Sequence, residues 1–224
     1  MLRTRASGLS FMVVLALAVL CVGVGVAAAQ TQFEPADTFQ VTYYSHININ
    51  DTTERDGAAY IVNPGTAVTR IDANGKPLNG NLCAMIYVFN DDEQQLECCG
   101  CKVSPNGERT FNIEDDLLSN VINATNFTFD GVIKVVSALP NSTGRRGVCR
   151  PDLSNIVPTP ALRSWSTHSI ATSYPDETSD FTISEEELSS APLSNYELLS
   201  LESQCSAIFT SGSGPGICKC GFGG

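Results

Sequence analysis

Cysteines are the residues of this 224-residue chain whose type and spacing point most directly to chemistry. Cys21 lies in an apolar N-terminal stretch, and the other eight are candidates for disulfide bonds: Cys83, Cys98, Cys99, Cys101, Cys149, Cys205, Cys218 and Cys220. Four thiolates can also hold a tetrahedral zinc ion, and the C-x-x-C spacing of residues 98–101 occurs in redox sites. An even number of cysteines in an exported chain favours structural disulfides over both alternatives.

The spacing within the cysteine clusters limits the pairing without fixing it. Cys98 and Cys99 are adjacent, so in a strand they point in opposite directions and must bond to different partners. Cys218 and Cys220 point to the same side of an extended segment. We expect Cys205, on the stripe of a predicted helix, to pair with Cys218 or Cys220 across the intervening glycine-rich loop.

The two histidines offer little support for catalysis. His46 lies on the polar face of a predicted strand, where a solvated surface position is the simplest interpretation. Ser166 and Ser169 flank His168, but closeness along the chain is not the geometry of a Ser-His-acid site, and no G-x-S-x-G motif occurs. The sequence therefore favours a non-enzymatic protein, with a secreted hydrolase as the weaker alternative.

Acidic and aromatic residues suggest binding functions. Residues 90–93, 114–116 and 176–177 are clusters of oxygen donors of the kind that bind calcium, although a solvated acidic surface is the commoner role of such runs. Trp165, the single tryptophan, could stack on sugar rings, although a lone tryptophan more often belongs to a core. A glycan- or calcium-binding module is therefore the alternative function, and no motif predicts a cofactor.

Composition and the N-terminus indicate an exported, acidic protein. The chain has 13 Lys and Arg against 24 Asp and Glu, a net charge of −11, which disfavours binding to nucleic acid. Residues 1–29 read as a signal peptide, with Arg3 and Arg5 before an apolar stretch and Ala27-Ala28-Ala29 at the cleavage site. A retained membrane anchor over 9–29 is the alternative, and no later segment predicts a membrane span. We expect a secreted or cell-surface protein, with the periplasm as another possible location.

Residues 30–224 are predicted to form one secreted β-rich domain. In residues 38–50 apolar and polar residues alternate, which predicts a long strand whose buried face is formed by Phe39, Val41, Tyr43, Ile47 and Ile49. Such a strand near the mature N-terminus could add to the sheet edge of a neighbouring copy, so self-association through 38–50 is a hypothesis beside ordinary pairing within its own sheet. Residues 82–89 and 131–139 predict inner strands.

Two further local signals predict a hairpin and a helix. Asn106-Gly107 is a two-residue turn signal, so residues 97–104 and 108–113 are expected to pair with each other. Ser194 and Glu197 form a capping box that begins a helix over 194–210. Its apolar stripe is Leu198, Leu201, Cys205 and Ile208. A Gly- and Cys-rich tail follows over 211–224.

The order of these segments also resembles a known group of proteins. Residues 82–89, the Cys-Cys-Gly-Cys run at 98–101, residues 131–136 and the closing Cys-Lys-Cys at 218–220 are similar to those of uncharacterised exported cysteine-containing proteins of soil bacteria, of the acidobacterial type. The resemblance implies export and a disulfide-stapled domain, and it implies no activity or site residues.

Together these observations predict a mostly-β protein: a disulfide-stapled antiparallel β-sandwich with one C-terminal α-helix. An α+β fold with a single sheet is the alternative. The leading functional expectation is a non-enzymatic extracellular or cell-surface protein with a structural or adhesive role.

Overall fold

The computed structural model describes residues 38–45, 57–71, 73–122, 130–141, 147–171, 181–211 and 215–223. The predicted signal peptide at 1–29, residues 46–50 of the predicted first strand and the acidic pair at 176–177 lie outside the described residues. The described strands are β1 Phe39–Tyr44, β2 Ala58–Val62, β3 Val68–Ile71, β4 Pro77–Asn79, β5 Leu82–Asn90, β6 Gln95–Val103, β7 Glu108–Asn112, β8 Gly131–Leu139, β9 Val157–Pro158, β10 Arg163–Ala171, β11 Phe181–Glu187, β12 Ser189–Ser190 and β13 Phe222–Gly223. A π-helical turn covers Ile113–Leu117, and the helix α1 spans Asn195–Ser211.

The strands form two antiparallel sheets and one short hairpin. The first sheet has the order β12-β1-β8-β5-β6, with β9 beside β8, and the second has the order β11-β10-β2-β7-β13. Among the described strands, β3 and β4 pair only with each other, and the chain turns between them at Asn74-Gly75. The prediction of a mostly-β, disulfide-linked antiparallel sandwich with one C-terminal helix is therefore confirmed.

Strand β5 lies inside the first sheet because both of its faces are apolar. All nine of its residues are buried, and it pairs with β6 on one side and β8 on the other. Ala84, Ile86 and Val88 join the core between the two sheets. Met85 and Tyr87 lie on the opposite face, in a second core that α1 covers with Leu201 and Ile208. Two apolar layers meet at this strand, as its continuous hydrophobic run predicts.

The predicted hairpin between β6 and β7 is wrong. Residues 104–107 do turn, with the Gly107 amide donating to the Ser104 carbonyl over 2.8 Å, but β6 then pairs with β5 and β7 with β2. The backbone of Asn63 binds this turn. Its amide donates to the Gly107 carbonyl over 2.9 Å, and its carbonyl accepts from the Asn106 amide over 2.8 Å. The turn therefore carries the chain from one sheet to the other. As a result Cys99 and Cys101 share the inter-sheet core with Phe111, while Cys98 faces α1.

Both faces of β1 are buried in part. Phe39 lies in the core under α1 and Val41 packs against that core, as predicted, but the polar face of the strand enters the space between the sheets. Gln40, Thr42 and Tyr44 are buried, whereas Tyr43 is 49% exposed. The Gln40 side chain donates to the Leu162 carbonyl over 2.9 Å, and the Thr42 hydroxyl lies 2.9 Å from that of Ser166. These hydrogen bonds offset the cost of burying polar groups, so amphipathic alternation alone does not decide which face is inside.

The C-terminal helix begins where its capping residue predicts. The Glu197 amide donates to the Ser194 hydroxyl over 3.0 Å, and α1 runs from Asn195 to Ser211. Leu201, Cys205 and Ile208 are buried against the first sheet. Among the described residues, no helix has the length and apolar character of a membrane span.

Candidate functional site

The eight predicted cysteines form four disulfides. The pairs are Cys83–Cys149, Cys98–Cys205, Cys99–Cys218 and Cys101–Cys220, with Cα–Cα distances of 5.2 to 5.9 Å. Cys98 and Cys99 have different partners, as predicted. The expected pairing of Cys205 with Cys218 or Cys220 is wrong.

The pairing of Cys205 follows from the course of the tail. The tail runs alongside β6, where the Cys98 amide donates to the Gly216 carbonyl over 2.8 Å. Cys218 and Cys220 point to one side of the tail and meet Cys99 and Cys101, which point to one side of β6. Cys98 points to the other face, where it meets Cys205 on α1. The helix, the tail and the loop that holds Cys149 are thus each joined covalently to the first sheet.

His168 is a buried residue of β10 in a polar network that also includes Tyr43 and Glu186, which are 49% and 52% exposed. Its Nε2 atom lies 3.1 Å from the Ser166 hydroxyl and 3.3 Å from Glu186 Oε1, and its ring stacks on Tyr43 at 4.3 Å between centroids. In a catalytic triad the acid and the nucleophile contact different ring nitrogens of the histidine. Here both contact the same nitrogen, so the geometry is that of a network that positions β1 against β10 and β11.

Glu97 is a buried carboxyl where β6, the tail and the segment after the π-helical turn meet. Its Oε1 atom accepts a hydrogen bond of 2.6 Å from the Asn120 amide, and the Asn120 side chain donates to the Ile217 carbonyl. Burial raises the pKa of Glu97 to about 7, and the Asn120 hydrogen bond and the charge of Lys219 oppose that shift. The sequence gives no sign of this site, because Glu97 precedes the cysteine cluster and reads as a surface acid.

A cavity of about 310 Å³ lies between α1 and the first sheet. Lys134 of β8 crosses it to Glu197 of α1, with Nζ to Oε1 at 2.7 Å, and lies 4.7 Å from the centroid of the Phe89 ring. Lys134 and Glu197 thus satisfy each other, and Glu93 also lines the cavity. The ion pair attaches the first turn of the helix to the sheet, which is sufficient reason for its placement.

The acidic clusters show no metal-binding arrangement in the described part of the chain, where no three His, Cys, Asp or Glu side chains lie close enough to share an ion. Asp116 instead accepts a 2.9 Å hydrogen bond from the Asn112 amide, and the Asn90 side chain accepts one of 2.7 Å from the Gln94 amide. These acidic and amide groups stabilise turns.

The outer face of the second sheet carries the tryptophan that sequence statistics assign to a core. Trp165 belongs to neither apolar core and is partly exposed. Its strand neighbours Ser164 and Ser166 are buried, so the alternation of β10 turns Trp165 to the outside. Tyr60 is the register partner of Trp165 on β2, and it too points outward because Ala59 and Ile61 are in the core.

These two aromatic residues lie in the middle of a row that crosses the whole sheet. Adjacent strands bring together in register Glu187, Trp165, Tyr60, Thr110 and Phe222. At one end Arg163 pairs with Glu187 at 2.9 Å, and at the other the Thr110 hydroxyl donates to Glu108 over 3.1 Å. We call the face around Glu187, Trp165, Tyr60 and Thr110 the aromatic face. It combines flat apolar rings with hydrogen-bonding groups at both ends.

Comparison with known proteins finds no relative: no protein-family model, no curated protein and no solved structure matches this chain. The resemblance to exported proteins of soil bacteria therefore stays an expectation.

Proposed function

We propose that this chain is a non-enzymatic extracellular or cell-surface protein with a structural or adhesive role. The observation that carries the proposal is the set of four disulfides, which tie the helix, the tail and the Cys149 loop to one sheet. Such bonds form and persist in oxidising compartments, and they preserve a fold outside the cell. The signal peptide predicted at residues 1–29 would supply the route of export.

The shared contact on His168 supports binding rather than hydrolysis. Ser166 and Glu186 both contact Nε2, so the serine has no separately oriented base. The hydrolase alternative requires an activity that His168→Ala abolishes in a correctly oxidised, folded protein. We expect no such activity on ester, peptide or glycoside substrates.

Native mass spectrometry of the exported, unreduced protein tests the proposal directly. We expect the mass of residues 30–224 less the hydrogens lost in four disulfides, in material recovered from outside the cytoplasm. Reduction and alkylation of the same sample should then add eight alkyl groups. Unpaired thiols in the native sample, or recovery in the cytoplasm, would contradict the proposal.

Self-association through residues 38–50 is a further proposal, and the pairing of β1 limits it. Strand β1 pairs with β8 over six residues and with β12 at Gln40 and Val41. A neighbour could therefore add only beyond Val41, towards residues 46–50. The proposal predicts a series of oligomers in the native mass spectrum, and a synthetic peptide of residues 38–50 should suppress them. A protein that is monomeric at all concentrations would contradict it.

Calcium binding stays a prediction of the acidic composition. It requires that calcium, and not magnesium at equal ionic strength, stabilises the protein against heat.

A further inference from the structure

We propose that the aromatic face binds a neutral polysaccharide that lies across the strands over Trp165 and Tyr60. The inference rests on the proposed function only in placing the protein outside the cell, where such polymers occur. It assigns a ligand class to a surface whose central residue, Trp165, would ordinarily be attributed to a core.

The two aromatic residues lie one strand apart. Trp165 and Tyr60 are register partners on neighbouring antiparallel strands, which lie about 4.8 Å apart. Thr110 follows at the next strand and Glu187 precedes at the previous one. A linear polymer across the strands therefore meets one outward side chain per strand, and this spacing is comparable with the length of one sugar unit. Aromatic rings offer the C–H face of a sugar a large contact area with few rotamers to immobilise.

The flanking groups supply what a sugar needs beyond stacking. Glu187 is 53% exposed and Arg163 28% exposed, so their ion pair presents both acceptors and donors to solvent. Thr110 and Glu108 provide a hydroxyl and a carboxylate at the opposite end of the row. Sugar hydroxyls donate and accept hydrogen bonds, so they can use each of these groups. Apolar rings with a small number of polar groups that fix orientation are typical of ligand sites.

Charge selects a neutral polymer over an anionic one. Glu187, Glu185 and Glu108 lie at outward positions around the rings, and the cation Arg163 is already paired with Glu187. The whole chain carries a net charge of −11. Nucleic acids and uronic-acid polymers, which could also stack on aromatic residues, would be repelled by this field.

The experiment uses the exported, fully oxidised protein with cellulose and chitin as neutral probes and polygalacturonate as the acidic probe. Depletion isotherms are measured for the wild type, Trp165→Ala, Tyr60→Ala and Tyr196→Ala. Tyr196 is the matched control because it is an aromatic residue on α1 and 83% exposed. Circular dichroism and the thermal midpoint of each variant verify that it is folded.

We expect the wild type to bind at least one neutral probe and not polygalacturonate. Trp165→Ala and Tyr60→Ala should each weaken binding about tenfold or more, which corresponds to about 1.4 kcal/mol. Tyr196→Ala should bind as the wild type does. Trp165 is the only tryptophan, so soluble cello- or chito-oligosaccharides should also shift its fluorescence and protect it from quenching by acrylamide.

Three results would overturn the inference. The first is that the wild type binds neither neutral probe. The second is that the wild type and both aromatic variants bind equally well. The third is that the wild type binds no glycan but forms a dimer, which Trp165→Ala dissociates. The last result would assign the aromatic face to a second copy of the chain. None of them affects the disulfide count or the location of the protein, so failure here is distinct from failure of the proposed function.

Discussion

The two outer faces of the sandwich have opposite designs. The outer face of the first sheet lies under α1, and two disulfides, Cys98–Cys205 and Cys83–Cys149, hold that helix and the Cys149 loop against it. The outer face of the second sheet carries Trp165 and Tyr60, which are half-buried and belong to neither apolar core. An aromatic ring that contributes little to the core costs little stability to change, which is the situation expected of a binding surface. The first face therefore stabilises the fold, and the second face is the one to which we assign binding in the proposal above.

Removal of disulfides should give the largest effects, and the four bonds should not be equivalent. Cys83→Ala with Cys149→Ala opens a loop of 66 residues that no other bridge shortens, so we expect a loss of about 4 kcal/mol in the free energy of unfolding. Cys98→Ala with Cys205→Ala should cost only about 3 kcal/mol despite a separation of 107, because Cys99–Cys218 already closes most of that loop.

The matched control for this prediction is Cys101→Ala with Cys220→Ala. That bridge lies two residues along from Cys99–Cys218, so its removal frees only a very short loop and should cost about 2 kcal/mol. Urea unfolding under non-reducing conditions gives all three values. The reverse order would show that strain or packing, rather than loop entropy, governs these bonds.

A pair of large-to-small substitutions tests the two faces directly. Leu201 of α1 is 1% exposed on the covered face, so Leu201→Ala should cost about 3 kcal/mol through lost burial and a residual cavity. Trp165→Ala, although it removes a larger side chain, should cost less than Leu201→Ala, because solvent can fill the space that a half-buried surface ring leaves. Equal losses in urea unfolding would mean that the aromatic face is a part of the core and would remove the basis of the comparison.

How far the sequence predicts this structure depends on the range of the interactions involved. The α1 cap at Ser194 and the buried strand β5 are local or compositional, and both are predicted correctly. The Asn106-Gly107 signal predicts a turn, but the partners of β6 and β7 depend on Asn63, about 40 residues earlier in the chain. The buried polar face of β1 likewise depends on Ser166 in a distant strand. Local patterns therefore predict the elements, and long-range hydrogen bonds decide their pairing.

The same distinction explains the candidate sites. The set of bonded cysteines is predictable from an even count, but the partner of Cys205 depends on the tail following β6. The sequence identifies Trp165 as a candidate binding residue, but only the burial of its strand neighbours Ser164 and Ser166 shows that it faces outward on a sheet. Glu97 has no local signal at all, because its burial comes from the Asn120 segment and the tail.

Glu97 should make the stability of the folded protein depend on pH. Its pKa is about 7 in the folded protein and 4.5 unperturbed, so between these values the folded state binds more protons than the unfolded state. The contribution of Glu97 to the free energy of unfolding is therefore fully present below about pH 4.5. It is lost as the pH rises through 7, and the total loss is about 3 kcal/mol. Glu97→Gln should abolish this part of the slope and be the more stable protein at pH 8. A wild type and a variant with parallel stability curves from pH 4.5 to 8 would contradict the prediction.

The smallest effect is expected for the ion pair that joins α1 to the first sheet. Lys134 and Glu197 are 26% and 30% exposed, so solvent screens their attraction, and a double-mutant cycle with Lys134→Met and Glu197→Gln should give a coupling of about 0.5 kcal/mol. The coupling should diminish in high salt, whereas the packing of the Lys134 stem and its contact with Phe89 should not. Arg163 and Glu187 on the aromatic face form the control pair at 28% and 53% exposure, with a similar or smaller coupling.

Loss of either Arg163 or Glu187 should instead weaken binding of the neutral polysaccharide, and loss of Lys134 or Glu197 should not. If loss of Lys134 weakened polysaccharide binding instead, the binding site would lie on the face under α1 and not on the aromatic face.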